Sequence, residues 1–368
     1  MSSAMKKIFL TALALLAATP AVAEIVIGVA GPMSGNLAVF GAEMVAGAQQ
    51  AIDDINAKGG LLGEQLVLEA GDDRCDRKQA ESVANQMIGR EIRLMVGHLF
   101  SGASIVASPV YHQAGIIQIS PGAREGRYTD RRPGPGIFRL TGRDDRQGPL
   151  AGAFLATKYA DAKVAIVHDG SPYGAGLAEA TRRALNEAGK SETVFETYSP
   201  EQADLTPLIA RLTAEAIDVL FFAGDHTEAG LIIRRMRDAG MRTQLVTGDA
   251  LMTDEFLSVA GDAGTGALML YPPDPAKSPE AAEAVSRLAA KGIVAEAYVL
   301  PSYAAVQAWA AAVQTAGSLD YAAVASTLAE FTFDTVLGTI EFDDKGDANL
   351  PSYVLYEWRA DRYDYAPM

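Results

Sequence analysis

Short apolar runs alternate with longer helical segments along most of this 368-residue chain. Runs at residues 25–29, 94–96 and 219–222 end in glycine or polar residues, and each is followed by a stretch with helical periodicity. Parallel strands need a crossover of about a dozen residues, usually a helix. The alternation therefore predicts βαβ units and parallel sheets.

The alternation occurs twice, which indicates two units built on one plan. The first series runs over about 25–140 and the second over about 164–270. The sequence Pro272-Pro273-Asp274-Pro275 is the strongest break in the pattern. Beyond it, helices are predicted near 278–290, 300–316 and 321–329, and strands at 336–342 and 353–358.

The N-terminus has the pattern of a cleaved signal peptide over residues 1–23. Lys6 and Lys7 precede an apolar run at 8–18, and Ala21-Val22-Ala23 forms an A-x-A cleavage site. The next residue is Glu24 rather than cysteine, which argues against a lipid anchor. We expect an exported, soluble protein located in a bacterial periplasm.

Composition excludes several functions. The net charge of −15 argues against partners such as nucleic acid or an anionic membrane. The single cysteine, Cys75, rules out an intrachain disulfide and a cysteine-rich metal site. The four histidines lack tight metal spacing, and no nucleophile–base motif occurs. We therefore expect no metal, no cofactor, no catalytic residue and no enzymatic activity.

Two loops follow neighbouring predicted strands and predict a binding site. Leu99, Phe100 and Ser101 follow the run at 94–96, and Gly122, Ala123 and Arg124 follow the run at 116–119. The carboxyl ends of parallel strands form a ligand crevice. Ser101 also lies near the predicted N-terminus of a helix, where an anion such as a carboxylate is favoured. The alternative is that Ser101 only caps its helix.

An ordered set of motifs resembles a known family. The set comprises Ile25-Val26-Ile27-Gly28-Val29, Gly97-His98-Leu99, Ala165-Ile166-Val167-His168-Asp169 with Tyr173-Gly174, Gly248-Asp249, Ser302-Tyr303-Ala304-Ala305, and Phe342-Asp343-Asp344-Lys345-Gly346-Asp347. Together with the leader, these motifs resemble the periplasmic Leu/Ile/Val-binding protein family of ABC importers over essentially the whole mature chain.

The resemblance implies a type I periplasmic-binding fold, in which two doubly wound parallel-sheet α/β lobes flank a hinge and a central cleft. It implies crossovers near Arg143, Pro272 and Ser352. Lobe one is then 24–143 plus 273–352, and lobe two is 144–272 plus 353–368. It also implies that a monomer closes over an amino acid and delivers it to a permease in the inner membrane.

The resemblance also implies roles for individual residues. Ser101 would bind the ligand carboxylate, the backbone at Gly122 and Ala123 would meet the head group, and Tyr173 would close over it. Asp249 would pair with the ammonium, unless it is instead the N-cap of a following helix. An apolar wall near the ligand side chain would be formed by Tyr298, Leu99 and Phe100.

Three positions depart from the family pattern. Some members carry a disulfide between the positions of Cys75 and Phe100, which cannot form here. Arg124 stands where threonine is common, and Asp225 replaces an apolar or aromatic wall residue. Arg124 could clamp the carboxylate or a second anion, and Arg124 and Asp225 could pair across the cleft or contact a polar ligand side chain.

The sequence therefore predicts the periplasmic solute-binding component of an ABC importer, specific for a branched-chain or related amino acid. Two alternatives stay open. The chain could be a ligand-sensing receptor module, since the fold permits either function. Its ligand could instead be a small amide, a urea-like molecule or an ω-amino acid.

Overall fold

The computed structural model describes residues 24–198, 204–351 and 353–366. The predicted signal peptide and the crossover expected at Ser352 lie outside these ranges. Among the residues described, no helix has the length and apolar character needed to cross a membrane.

The first sheet contains five parallel strands in the order β2-β1-β3-β4-β5. They are β1 (Glu24–Gly31), β2 (Gln65–Asp72), β3 (Leu94–Gly97), β4 (Ile117–Ser120) and β5 (Ile137–Arg139). The connecting helices are α1 (Ala38–Ala57), α2 (Arg77–Gly89), α3 (Ser101–Gln113) and α4 (Arg127–Asp130). Both β3 and β4 are buried at every residue because helices cover both faces of the sheet.

The second sheet has the order β14-β13-β10-β9-β8-β6-β7. Its strands are β6 (Val164–His168), β7 (Val194–Thr197), β8 (Val219–Ala223), β9 (Gln244–Thr247), β10 (Leu268–Tyr271), β13 (Val354–Trp358) and β14 (Tyr363–Tyr365). Strand β13 pairs antiparallel with both β10 and β14, and every other pair of neighbouring strands in this sheet is parallel. The helices are α5 (Asp144–Lys158), α6 (Pro172–Glu187), α7 (Thr206–Ala214), α8 (His226–Asp238) and α9 (Glu255–Ala260).

The chain then returns to the first sheet. The segments are α10 (Ala282–Ala290), α11 (Val299–Ala316), α12 (Tyr321–Glu330) and the hairpin β11 (Phe333–Thr335) with β12 (Gly338–Ile340). Helix α11 packs closely on α1 because Gly47 has no side chain. A β-carbon on Gly47 would lie only 1.8 Å from the carbonyl oxygen of Val299. This contact ties a late segment of the chain to the first βαβ unit.

The predicted α/β class with two doubly wound parallel sheets is confirmed, with local corrections. The helix predicted at 278–290 begins only at Ala282, because the segment before it contains Pro275 and Pro279 and forms two short 3₁₀ turns. The strand predicted at 336–342 is confirmed in shorter form as β12 (Gly338–Ile340), whereas its partner β11 and the strand β14 were not predicted.

A buried ion-pair network lies where the chain passes from β5 to α5. Asp347 accepts from Arg139 Nε at 2.7 Å and from Arg143 Nη1 at 2.8 Å. Arg143 also pairs with Asp130 at 2.9 Å and with Asp145 at 2.5 Å. These ion pairs therefore join the β5–α5 connection, where the chain first crosses from one sheet to the other, to the segment that precedes β13.

Candidate functional site

The cavity between the two sheets lies at the carboxyl ends of their strands. In each sheet the strand order reverses at one point, between β1 and β3 in the first and between β6 and β8 in the second. Ligand crevices form at such points in α/β sheets. The cavity has about 340 Å³ of empty space, part of which is open to solvent, and is lined by Phe40, Leu99, Phe100, Ser101, Gly122, Arg124, Tyr173, Asp225, Asp249, Ala250 and Tyr298.

Nine of the ten predicted site residues line this cavity. Ala123 does not, because its side chain is fully buried beside Tyr128 and Ile137. Its N–H donates to Ser120 Oγ at 2.9 Å, and the N–H of Gly122 donates to the same oxygen at 3.3 Å. These two amides therefore hold their own loop in place.

Ser101 does not cap its helix, so that alternative is wrong. It is the first residue of α3, and the N-cap is Phe100, whose side chain makes no capping bond. Ser101 Oγ instead accepts from the backbone N–H groups of Arg124 and Glu125, each at 3.1 Å. Because both lone pairs are used, the hydroxyl can act toward the cavity only as a donor.

Gly122 brings the two loops and the aromatic wall together. A β-carbon at this position would lie 2.4 Å from Leu99 Cδ1 and 3.2 Å from Tyr298 Cε1. Any larger residue would push these side chains apart. Tyr298, at the N-cap of α11, and Leu99 are both largely buried.

Arg124 crosses the cavity and forms a buried ion pair with Asp249. Its Nε lies 2.5 Å from Asp249 Oδ2, and the two side chains are 2% and 3% exposed. Nη1 donates to the Tyr353 hydroxyl at 3.2 Å. Burial alone would lower the pKa of Arg124, but the Asp249 carboxylate raises it well above its usual value. The guanidinium is therefore charged, and the pair with Asp225 that the sequence left open does not form.

Asp249 is held by two further donors from the second sheet's helices. The Tyr173 hydroxyl donates to Asp249 Oδ1 at 2.9 Å, and Gln147 Nε2 approaches the same oxygen at 3.4 Å. The alternative that Asp249 caps a helix is wrong, because α9 begins at Glu255 after Asp254. These donors orient Asp249 so that Oδ2 faces a cation from the opposite side of the cavity.

Asp225 lines the cavity with a free carboxyl group. It is the N-cap residue of α8, but its side chain makes no capping bond. Among the described residues its carboxyl group accepts no hydrogen bond and forms no ion pair. Burial, with the carboxylates of Asp169 and Glu228 nearby, raises the pKa of Asp225 well above its usual value. Asp225 can therefore bind a donor or a cation on a ligand.

The sequence missed three residues that shape this site. Phe40 in α1 packs edge-on against Tyr298 at 5.3 Å and against His226 at 5.2 Å. Its position in the first turn of the helix after β1 places it at the same sheet edge and could have revealed it. Ala250 follows Asp249 in sequence. Gln147 lies inside α5, where no motif distinguishes it.

The cavity leads outward to a wider opening of about 1080 Å³ of empty space. The two share Phe100, Ser101, Tyr173 and Asp225. Cys75 lines this opening as a free thiol, and burial raises its pKa. The opening would give a ligand access to the cavity from solvent.

Two doubly wound sheets with a charged cavity between their switch points define a class, the two-lobed α/β binding proteins with a hinge and a central cleft. No cluster of metal-ligating side chains occurs in the ranges 24–198, 204–351 and 353–366. The chain belongs to the periplasmic binding protein family, whose sequence model matches residues 24–362.

Relatives agree with this assignment. Leu/Ile/Val-binding protein homolog 1 of Brucella melitensis biotype 1 is 43% identical over 350 residues, which cover 93% of each chain. An amino acid binding protein of Pseudomonas aeruginosa is 41% identical over 92% of this chain and 91% of its own. The crystal structure of a leucine-binding protein from Thermotoga maritima matches with a TM-score of 0.85 at 23% identity, covering 93% of this chain and 98% of that one.

Proposed function

We propose that this chain is the solute-binding component of an ABC importer, and that it binds an amino acid between its two lobes. Lobe one is 24–143 plus 273–352, and lobe two is 144–272 plus 353–368. In this proposal a signal peptide at 1–23 directs the chain to the periplasm, where a monomer delivers its ligand to an inner-membrane permease. The chain catalyses no reaction.

The observation that carries this proposal is the ion pair between Arg124 and Asp249. The two groups present opposite charges to one cavity from opposite sides. A zwitterion placed between them offers an ammonium to Asp249 and a carboxylate to Arg124 and the Ser101 hydroxyl. Both protein charges then keep a partner, which matters because an unpaired buried charge is costly.

Binding therefore exchanges one set of ion pairs for another. The ligand ammonium takes the place of Arg124 Nε at Asp249 Oδ2, and the released guanidinium turns to the ligand carboxylate. The N-terminus of α3 adds favourable potential for that carboxylate. A ligand with only one charged group would leave Arg124 or Asp249 without a partner, so binding in the closed cleft favours a ligand that carries both groups.

The cavity walls supply the side-chain specificity. Phe40, Leu99, Phe100 and Tyr298 offer apolar contacts suited to a branched-chain ligand. The names of the relatives from Brucella support that ligand class. Asp225 favours instead a ligand with an additional donor, such as an ω-amino acid or a small amide.

A thermal-shift screen of the mature protein tests the proposal. It covers the twenty amino acids, γ-aminobutyrate, simple amides and simple carboxylates. A ligand at a hundred times its Kd stabilises by about 2.7 kcal/mol, which raises Tm by a few degrees in a chain of this size. Shifts with leucine, isoleucine or valine support the branched-chain class, and shifts only with polar or ω-amino ligands support selection by Asp225. No shift with any of these compounds would refute amino acid binding.

A further inference from the structure

Two buried carboxyl groups lie directly behind Arg124 and outside the proposed ligand contacts. Glu125 follows Arg124 in the loop after β4, and Asp144 is the first residue of α5. Glu125 is 8% exposed and Asp144 is 2% exposed. Glu125 Oε2 and Asp144 Oδ2 are both buried and have no hydrogen-bond partner among the described residues. Native structures rarely leave such atoms unsatisfied, so this pair needs an explanation.

Both side chains converge on the same point of α6. A β-carbon built on Gly176 would lie 2.3 Å from Asp144 Oδ2 and 3.4 Å from Glu125 Cγ. Glu125 belongs to the first sheet's loops, whereas Asp144 and Gly176 belong to helices of the second sheet. The two carboxyl groups therefore meet at the interface between the two halves of the molecule.

Arg127 neutralises Glu125, whereas Asp144 forms no ion pair among the described residues. Arg127 Nε donates to the other oxygen of Glu125, Oε1, at 2.8 Å. Arg139 in β5 donates to the Glu125 carbonyl, and its charge is paired with Asp347. Asp145 adds a further carboxylate, which is paired with Arg143. Gly176 of α6 and the Tyr353 phenol also lie near Asp144 and carry no positive charge, while the charge of Arg139 opposes the rise in the pKa of Asp144.

We propose that Asp144 keeps a proton when the cleft is closed and directs it at the Glu125 carboxylate, so that closing the cleft takes up a proton from solvent. Asp144 Oδ2 carries the proton and donates it to Glu125 Oε2, which satisfies both buried oxygens. Two adjacent buried carboxyl groups commonly hold one proton in this way. On opening, water reaches both groups and the proton is released.

The direction of the pH dependence follows. Burial, with the carboxylates of Asp145 and Glu125 nearby, raises the pKa of Asp144 to about 7. A carboxyl whose pKa is raised in the closed state favours that state when protonated. Closing is thus most favourable below the ordinary aspartate pKa of about 4 and weakens as pH rises to about 7. One linked proton changes the equilibrium by up to about tenfold per pH unit.

The pair is also connected to the proposed ligand site. The N–H of Asp144 donates to the carbonyl of Arg124 at 3.0 Å, and the N–H of Glu125 donates to Ser101 Oγ at 3.1 Å. Protonation therefore stabilises the loop that carries Arg124. If the proposed function holds, ligand affinity follows the same pH dependence, a consequence that rests on that function.

The first test uses the ligand-free chain and does not depend on ligand identity. Unfolding midpoints are measured from about pH 5 to about pH 8 for the wild type, Asp144→Asn, Glu125→Gln and the control Asp238→Asn, whose side chain is 70% exposed. An asparagine at 144 is neutral at every pH and can still donate to Glu125. We expect the wild type to lose stability relative to Asp144→Asn and Glu125→Gln as pH rises, and Asp238→Asn to parallel the wild type.

Three results would overturn the proposal. One is an Asp144→Asn curve that runs parallel to the wild type at every pH. Another is a calcium-dependent rise in the unfolding midpoint of the wild type that Asp144→Asn lacks. That result would show that a bound cation, rather than a proton, lies between the two carboxyl groups. The third is the absence, in the ligand-free wild type near pH 6, of an infrared band of a protonated carboxyl that Glu125→Gln and Asp144→Asn alter. A failed ligand screen affects none of these readouts, so failure of the proposed function is distinguishable.

Discussion

Arg124 Nε and Asp249 Oδ2 lie 2.5 Å apart across the cavity, so the two charged groups of the proposed ligand site are already paired with each other. The arginine takes the position that the proposed function gives to a ligand ammonium. A ligand must therefore replace an existing ion pair. Its affinity depends on the difference in free energy between the Arg124–Asp249 pair and the ion pairs that the ligand forms.

Replacing Arg124 by glutamine should destabilise the closed protein, because Asp249 would remain buried without a cation. Breaking a buried pair typically costs about 3–5 kcal/mol. We expect urea unfolding to show a loss of this order for Arg124→Gln, and little change for the exposed control Arg131→Gln. The double variant with Asp249→Asn should recover much of the loss, and additive losses would contradict the pairing.

Replacing Asp225 by asparagine should change ligand preference more than stability. Its carboxyl has no partner among the described residues, so no ion pair is broken. We expect isothermal titration to show weaker binding of ligands with a cationic or donor group, by about 1–3 kcal/mol, and unchanged binding of apolar amino acids. The matched control is Asp254→Asn, which lies outside the cavity. Equal losses for both ligand types would show that Asp225 does not select the side chain.

Replacing Gly122 by alanine should disturb the cavity. The new methyl group would overlap Leu99 and crowd Tyr298, which costs about 1–3 kcal/mol. We expect a lower Tm and weaker ligand binding. Gly89→Ala serves as the control, because a β-carbon there meets no atom within 4 Å. Similar behaviour of the two variants would contradict the close packing around Gly122.

Replacing Asp347 by asparagine should destabilise the protein at neutral pH and less so in acid. Burial by itself would raise the pKa of Asp347, but Arg139 and Arg143 outweigh it and hold the pKa below its usual value. This stabilisation is present above the unfolded-state pKa of about 4 and is lost as pH falls through the folded-state pKa.

The measurement for Asp347→Asn is urea unfolding at about pH 7 and about pH 3, with an expected loss of about 3–5 kcal/mol at the higher pH and a smaller loss at the lower pH. Asp344→Asn, at an exposed position of the same turn, is the control. A loss of equal size at both pH values would show that the ion pairs are not its source.

The sequence predicted much of the fold because the signals were local. Helix α11 spans Val299–Ala316, one residue longer than the predicted 300–316. Ser101 directly follows the loop after β3, where the pattern placed it. Strands β11 and β14 were not predicted because strands of three residues are too short to show a period.

The pairing within the site could not be predicted in the same way. Arg124 had two acidic candidates, and only the packed structure brings its guanidinium to Asp249 rather than to Asp225. Gln147 reaches Asp249 from the interior of α5, and no sequence pattern marks a glutamine for that role. Such contacts depend on the angle between two sheets, which periodicity does not encode.

The position of β13 has a consequence for biosynthesis. It pairs with β10, so the second sheet keeps an uncovered strand edge until residues 354–358 have been made. The first sheet similarly waits for α11 before α1 is covered. Neither half of the molecule can therefore finish folding while the chain is only partly synthesised. A nascent polypeptide of this design completes its sheets and its helix packing only late in translation.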